Sequence, residues 1–171
     1  MPPGTQAITR ALQILQAFDD DHPTWELPAL VEALSLNKTT VFRMLSALEE
    51  TGMVEKTESG AYRLGSEVIA LGGRAARANP LRRAASPHLQ ALTQLTGETT
   101  TLEVIRQENG SAPVMLVIDE VLGRHLVGIT QYIGTRLPLH ATSTARAILA
   151  FQPHKTRQAL LDFPMKALTD K

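Results

Sequence analysis

The chain has 171 residues, no cysteine, and 17 basic against 17 acidic side chains. The missing cysteines exclude disulfides, thiolate metal sites and cysteine nucleophiles. The zero net charge excludes a strongly basic domain as the mark of a nucleic-acid binder. An apolar content of 43% with 20% charged residues is that of a soluble globular protein, long enough for one large domain or two small ones. No run is apolar enough for a membrane span, and the start, MPPGTQAITR, lacks the core of a secretory signal, so a cytoplasmic protein is expected.

Residues 5–18 place Ile8, Ala11, Leu12, Leu15 and Phe18 at helical spacing, which predicts a helix packed by that stripe. Arg10 lies off it, as a solvated or a phosphate-facing side chain. Pro23 bars continuation after the acidic run Asp19-Asp20-Asp21. Thr24-Trp25-Glu26-Leu27 reads as a short strand, with Trp25 as a core or hinge residue. Pro28 suits the first turn of a second helix buried through Leu30, Val31 and Leu34.

A third helix has chemically defined limits, capped by Asn37 and stopped at Gly52. Its apolar stripe is Val41, Met44, Leu45 and Leu48, while Lys38, Thr39, Arg43 and Ser46 fall largely off it, where a DNA groove could meet them. Met53–Lys56 and Ala61–Leu64 flank a Ser59-Gly60 turn and read as a two-stranded wing. Helix, turn, helix, hairpin is the order of a winged helix-turn-helix DNA reader. Charge limits that reading. Residues 1–80 hold seven Lys/Arg against ten Asp/Glu, a balance of −3, so attraction to phosphate must be local. From Leu36 to Leu48 the only charges are Lys38 and Arg43, and the neighbouring acids, Glu49 and Glu50 among them, must point away.

After the wing, Ser66 is expected to cap a weak helix that ends at Asn79-Pro80 and contains Gly72-Gly73, which suits a linker. The expected division is therefore a DNA-binding domain over 1–79, with its linker helix at about 66–79, and a second domain over 80–171. In the second domain Leu81–Leu95 is helical, either as one helix starting near Ser86 or as two pieces, because Pro87 falls inside it. The period then changes to two over 99–107 and 112–121, joined by an Asn109-Gly110 hairpin signal, with a third strand over 125–133. A proline-bounded extended piece reaches His140, a helix follows from about Thr142 with Ala145, Ile148, Leu149 and Phe151 apolar, and a last short helix spans about 156–161. The fold class is α+β: a winged helix-turn-helix, a linker helix, and an α+β domain with an antiparallel sheet. Thr142, Ser143 and Thr144 stand at a helix start, where backbone N–H groups hold a carboxylate or phosphate, or where a hydroxyl simply caps the helix.

An enzyme is not expected. The five histidines, His22, His88, His125, His140 and His154, show no metal-ligand spacing, no nucleophile motif is present, and Ser143 has no visible base. No catalytic residue, metal ligand or cofactor is assigned.

The order of these parts resembles the isocitrate lyase regulator (IclR) family of bacterial transcription factors. The resemblance is carried by Ile8-Thr9-Arg10-Ala11-Leu12, Leu36–Leu45, Gly52, Tyr62-Arg63-Leu64-Gly65, Leu137–Thr142 and Ala147–Ala150. It implies a DNA operator as partner, a homodimer or tetramer, and a second domain that senses a small organic-acid effector. It implies recognition-helix contacts from Lys38, Thr39, Thr40 and Arg43, with Ser46 on the same face, and wing contacts from Arg63 and Tyr62. The implied effector site includes Ser143 and Thr144, and Thr142 at the same helix start and His140, as a structural or pocket histidine, complete the candidate effector residues. This chain has Ala145-Arg146 where the family commonly has Gly-Lys. Family members also run on beyond the position of Lys171, so 80–171 is expected to be the first portion of an effector domain. The alternative is a fragment that binds DNA or a partner subunit without sensing a ligand.

Overall fold

The computed structural model describes residues 5–107, 112–124 and 132–164. The chain divides into two compact units, Met1–Ala75 and Ala76–Lys171.

The N-terminal unit opens with α1 (Thr5–Gln16), β1 (Thr24–Trp25), α2 (Leu27–Leu34) and α3 (Lys38–Glu50). The wing follows as β2 (Val54–Lys56) and β3 (Tyr62–Leu64). The three strands form one antiparallel sheet in the order β1-β3-β2, so the short strand at Thr24-Trp25 is the third strand of the wing. Ile14, Phe18, Leu30, Val41, Leu45, Val54 and Tyr62 form the core, and Met44 and Leu48 pack against it. The stripe expected on α3 is therefore the buried one. Asn37 caps α3 by accepting the Thr39 N–H at 2.9 Å. Beyond the helix, Gly52 takes the left-handed φ of 70° that turns the chain into the wing.

The first helix follows the expected stripe only in part: Phe18 lies in the core and Leu15 packs against it, but the buried arc shifts toward Ile14. Ile14 is fully buried, whereas Ile8 and Leu12 are 65% and 52% exposed. Apolar residues cover more of α1 than its contact with α2 and α3 can bury, and the neighbours select the arc that includes Ile14. Of the two roles expected for Trp25, core or hinge, the packing shows the first: it lies against the core, its indole N–H donates to the Ala17 carbonyl at 2.8 Å, and its ring stacks on His22 at 4.9 Å.

Helix α4 (Ser66–Ala78) follows the wing. Ser66 does not cap it but is its first residue, and the carboxylate of Glu55 accepts its N–H at 3.2 Å. The preceding Gly65 allows no side chain, because a Cβ there would lie 2.2 Å from the Gly52 carbonyl oxygen. That closeness is what lets the Gly65 and Glu67 N–H groups bond the carbonyls of Met53 and Gly52.

In the C-terminal unit, α5 (Pro80–Thr96) is one helix running through Pro87, neither starting at Ser86 nor broken in two. Proline deprives the Arg83 carbonyl of its donor, at a cost of about 3 kcal/mol in a helix interior. The helix survives because Asn79 caps it through the Leu81 and Arg82 N–H groups and because its later turns are tied to the sheet. Thr93 Oγ1 lies 2.7 Å from Thr100 Oγ1, and Thr100 donates to the Leu89 carbonyl at 3.1 Å.

The sheet runs β4-β5-β6, antiparallel throughout, with β4 at Thr100–Arg106, β5 at Val114–Val121 and β6 at Arg136–Pro138. Its third strand among the described residues is thus the extended proline-bounded piece. The strand expected over 125–133 and the Asn109-Gly110 turn fall largely or wholly outside the described residues. Leu102 pairs with Asp119 and Glu103 with Val117, which leaves Ile118 as a bulge. The bulge reverses which way later residues face. Met115 packs with Ala145 and Leu149 of α6 (Ser143–Ala150), while Asp119 is turned toward α5 and meets Arg82 at 2.6 Å. Phe151 leaves the expected apolar stripe of α6 and is 90% exposed. It stands just beyond the last helical turn, as the C-cap residue. The last helix, α7 (His154–Leu161), starts two residues earlier than expected, after Pro153.

Candidate functional site

The first candidate surface lies on α3 and the wing. Thr39, Arg43 and Ser46 recur at four and three residues, so they share one face, opposite the buried Val41 and Leu45. Lys38, Thr39 and Arg43 are exposed, and Thr40 and Ser46 are half-buried. Ser46 Oγ donates back to the Phe42 carbonyl at 3.1 Å, which commits its hydrogen and leaves the hydroxyl only as an acceptor. Glu50 falls on the same stripe one turn beyond Ser46. The face is therefore free of negative charge only over Lys38–Ser46, at its N-terminal end. Arg43 and Thr40 also border a groove of about 530 Å³ between α3 and α1, whose walls include Ile8, Ala11, Met44 and Leu48.

Alternation along β3 separates the two wing residues. Tyr62 is 4% exposed, within the core, and its ring lies under the Lys56 ammonium at 5.8 Å. It does not present its side chain at the surface. Arg63 does, and its guanidinium is paired: Nε and Nη2 donate to Glu55 Oε2 at 3.3 and 3.1 Å. Glu55 is the cross-strand partner of Arg63 in the β2–β3 register. Its carboxyl is held below the usual carboxylate range, first by the Ser66 N–H and then by Arg63. Nothing in the sequence pointed to Glu55 beyond its position opposite an arginine across a short hairpin.

The second candidate surface is the start of α6. Thr142 is the N-cap, accepting the Ala145 N–H at 3.2 Å, so the capping alternative holds for that hydroxyl. Ser143 is exposed. Thr144 Oγ1 donates to Glu103 Oε2 at 2.6 Å, and Thr101 Oγ1 donates to the other carboxylate oxygen at 3.0 Å. A carboxylate of the protein itself thus stands at this helix start, where the helix dipole favours negative charge. Glu103 comes from β4, 41 positions before Thr144. The only hint of it in the sequence is an acid within the strand-like run Thr100–Arg106. His140, two residues before the cap, lines a cavity of about 30 Å³ with Pro113, Leu139, Leu160 and Phe163. That volume is about one water's worth. Among the described residues no group of three or more His, Cys, Asp or Glu side chains could hold a metal ion, and no helix is long and apolar enough to cross a membrane.

Residues 7–58 match the family described as "IclR helix-turn-helix domain", and residues 73–171 match "Bacterial transcriptional regulator IclR C-terminal". Among curated relatives, the HTH-type transcriptional regulator XynR of Escherichia coli K12 is 29% identical over 94% of this chain and 62% of its own length. The DNA-binding transcriptional repressor YiaJ of the same organism is 30% identical over 88% of this chain and 52% of its own. Among solved structures, an IclR transcriptional regulator from Alicyclobacillus acidocaldarius superposes with a TM-score of 0.80 at 26% identity, covering 96% of this chain and 66% of that one. An IclR-type regulator from Silicibacter sp. TM1040 gives 0.77 at 28%, covering 96% and 63%. The chain spans 52% to 62% of the length of the two curated relatives. Since one family match covers the helix-turn-helix and the other takes in more than half of the chain, the protein belongs to the IclR family of bacterial transcriptional regulators.

Proposed function

We propose that this chain is a sequence-specific, DNA-binding transcriptional regulator of the repressor type, acting in the cytoplasm as a homodimer or tetramer. The observation that carries the reading is the face of α3: a capped helix, fixed through Val41 and Leu45, that presents Lys38, Thr39, Arg43 and Ser46 with no negative charge among them. In the major groove, Arg43 would read a guanine edge, Lys38 and the threonine hydroxyls of Thr39 and Thr40 would take phosphates, and Arg63 would meet the backbone from the wing. Tyr62 supports these contacts from the core rather than making one. Apolar surface for self-association is available on α1, where Ile8 and Leu12 are exposed. Catalysis has no place in this reading, since the named relatives are regulators.

The test is binding to the chain's own promoter region by fluorescence anisotropy at two salt concentrations. Lys38→Ala and Arg43→Ala should each weaken binding, and each lost phosphate contact should flatten the slope of log affinity against log salt by about 0.9. Unchanged affinity and slope in both variants would remove α3 as the reading element.

For the C-terminal unit we propose a small organic-acid effector at the α6 start, with Ser143, Thr144 and His140 as candidate contacts and Thr142 as the cap that shapes the site. A specific observation favours the second reading, a regulator that does not sense a ligand: Glu103 already places a carboxylate against Thr144. Thermal unfolding against a panel of small organic acids separates the two. A raised melting temperature with any acid supports sensing, and no shift with DNA binding intact supports the second reading.

A further inference from the structure

Glu55 joins two parts of the N-terminal unit. One carboxylate oxygen accepts both the Nε and an Nη2 hydrogen of Arg63. The other accepts the Ser66 N–H at the first residue of α4. An arginine whose Nε edge is held in this way presents only its remaining Nη hydrogens to a phosphate, and it does so beside a fixed negative charge. A phosphate approaching the wing meets repulsion from Glu55 and must share or displace it.

We propose that Glu55 is a positioning residue that restrains the wing arginine, so that engagement of a DNA phosphate by Arg63 is opposed by the Glu55–Arg63 pair. The inference rests on the reading of the wing as a backbone contact. The Ser66 N–H gives the restraint its anchor. A carboxylate tied to the start of a helix cannot follow the guanidinium outward, so phosphate and Glu55 compete for one donor edge. The pair is solvent-exposed, with Arg63 at 60% and Glu55 at 39%, so the competition adjusts affinity rather than abolishing binding.

Glu55→Gln keeps an acceptor for Ser66 and removes the charge. The probe is a duplex of arbitrary sequence, about 30 base pairs long, because the phosphate contribution does not depend on sequence. Binding by the full chain is measured by anisotropy across a salt series. The expected result is affinity about three- to tenfold higher than wild type at low salt, with a salt slope steeper by about 0.9, as for one added phosphate contact. In an Arg63→Ala background the same change should alter affinity less than about twofold, because Glu55 acts through that side chain. Affinity that fails to rise, or an equal rise without Arg63, overturns the proposal; the second result would assign the effect to the general field of the charge. Arg63→Ala alone keeps the two failures apart. If it weakens binding while Glu55→Gln does nothing, the wing contact stands and the restraint falls. If it leaves binding unchanged, both fall. Urea unfolding followed by Trp25 emission confirms that each variant is folded.

Discussion

Truncation of Leu45 to alanine tests whether the DNA-facing side of α3 is held by its buried side. Leu45 is fully buried and packs in one cluster with Ile14 of α1, Leu30 of α2 and Val41 of its own helix. Removing such a side chain forfeits about 1.5–3 kcal/mol of burial. The cavity left behind brings leucine-to-alanine losses to about 2–5 kcal/mol. Three helices meet at this point and none can close the gap alone, which places the expected loss near 3–4 kcal/mol. A 75-residue unit has a total stability of about 4–11 kcal/mol, so one substitution removes a large share of it. The assay is built into the chain, because the only tryptophan, Trp25, lies in this unit with its indole bonded to Ala17. Its emission in urea therefore follows the N-terminal unit. Phe42→Ala is the matched control: it lies on the same helix but is 50% exposed, so it should cost under about 1 kcal/mol. A Leu45→Ala loss below about 1.5 kcal/mol, or an equal loss from Phe42→Ala, would refute the packing argument.

Gly65→Ala should destabilise the same unit by about 1–3 kcal/mol in the same assay, since its Cβ would meet the Gly52 carbonyl with no flexible side chain to yield. Asp119→Asn leaves the mostly buried Arg82 without its counter-charge. The expected cost is about 1.5–3 kcal/mol, read by hydrogen exchange along β5, and the double variant Arg82→Met/Asp119→Leu should recover much of it. Asp19 and Glu55 both have carboxyls lowered in the folded state, Asp19 chiefly through the His22 backbone N–H and Glu55 chiefly through the Ser66 N–H. Their stabilisation is therefore complete above the ordinary carboxyl range and is lost as pH falls through the lowered values. The urea midpoint of Trp25 emission should fall on acidification below that range, and the fall should be shallower in Asp19→Asn/Glu55→Gln.

The resemblance to a family rested on segments spread along the whole chain, and those segments are also the ones with local physical causes. Gly65, for example, ends the Tyr62–Gly65 motif because a backbone carbonyl occupies the space of its Cβ. The start of α6 shows the opposite case. Its cap, Thr142, belongs to the local sequence, but the carboxylate that occupies Thr144 comes from a distant strand.

Local chemistry determined α3. Asn37 starts it, the Gly52 turn follows its end, and the recurrence of Val41, Met44, Leu45 and Leu48 assigned its buried side, because cap, turn and period all act within a few residues. The same holds for the β2–β3 hairpin of the wing and for the cap at Thr142. Other features required partners that are remote in the chain. α1 carries apolar residues on more than one arc, and only contact with α2 and α3 selected Ile14 over Ile8 and Leu12. Pro87 reads locally as a break, yet bonds from Thr93 and Leu89 to the sheet hold the helix together across it. The bulge at Ile118 turned Asp119 toward Arg82, against the simple alternation of its strand. The placement of charges was likewise a matter of the fold: Glu55 pairs with Arg63 and bonds Ser66, Lys38 and Arg43 stay exposed, and Glu50 lies exposed on the same stripe of α3. Sequence determines spacing, caps and the buried side of a helix with one apolar stripe, but which of several apolar arcs is buried and which charges pair depend on long-range contacts that only the folded chain makes.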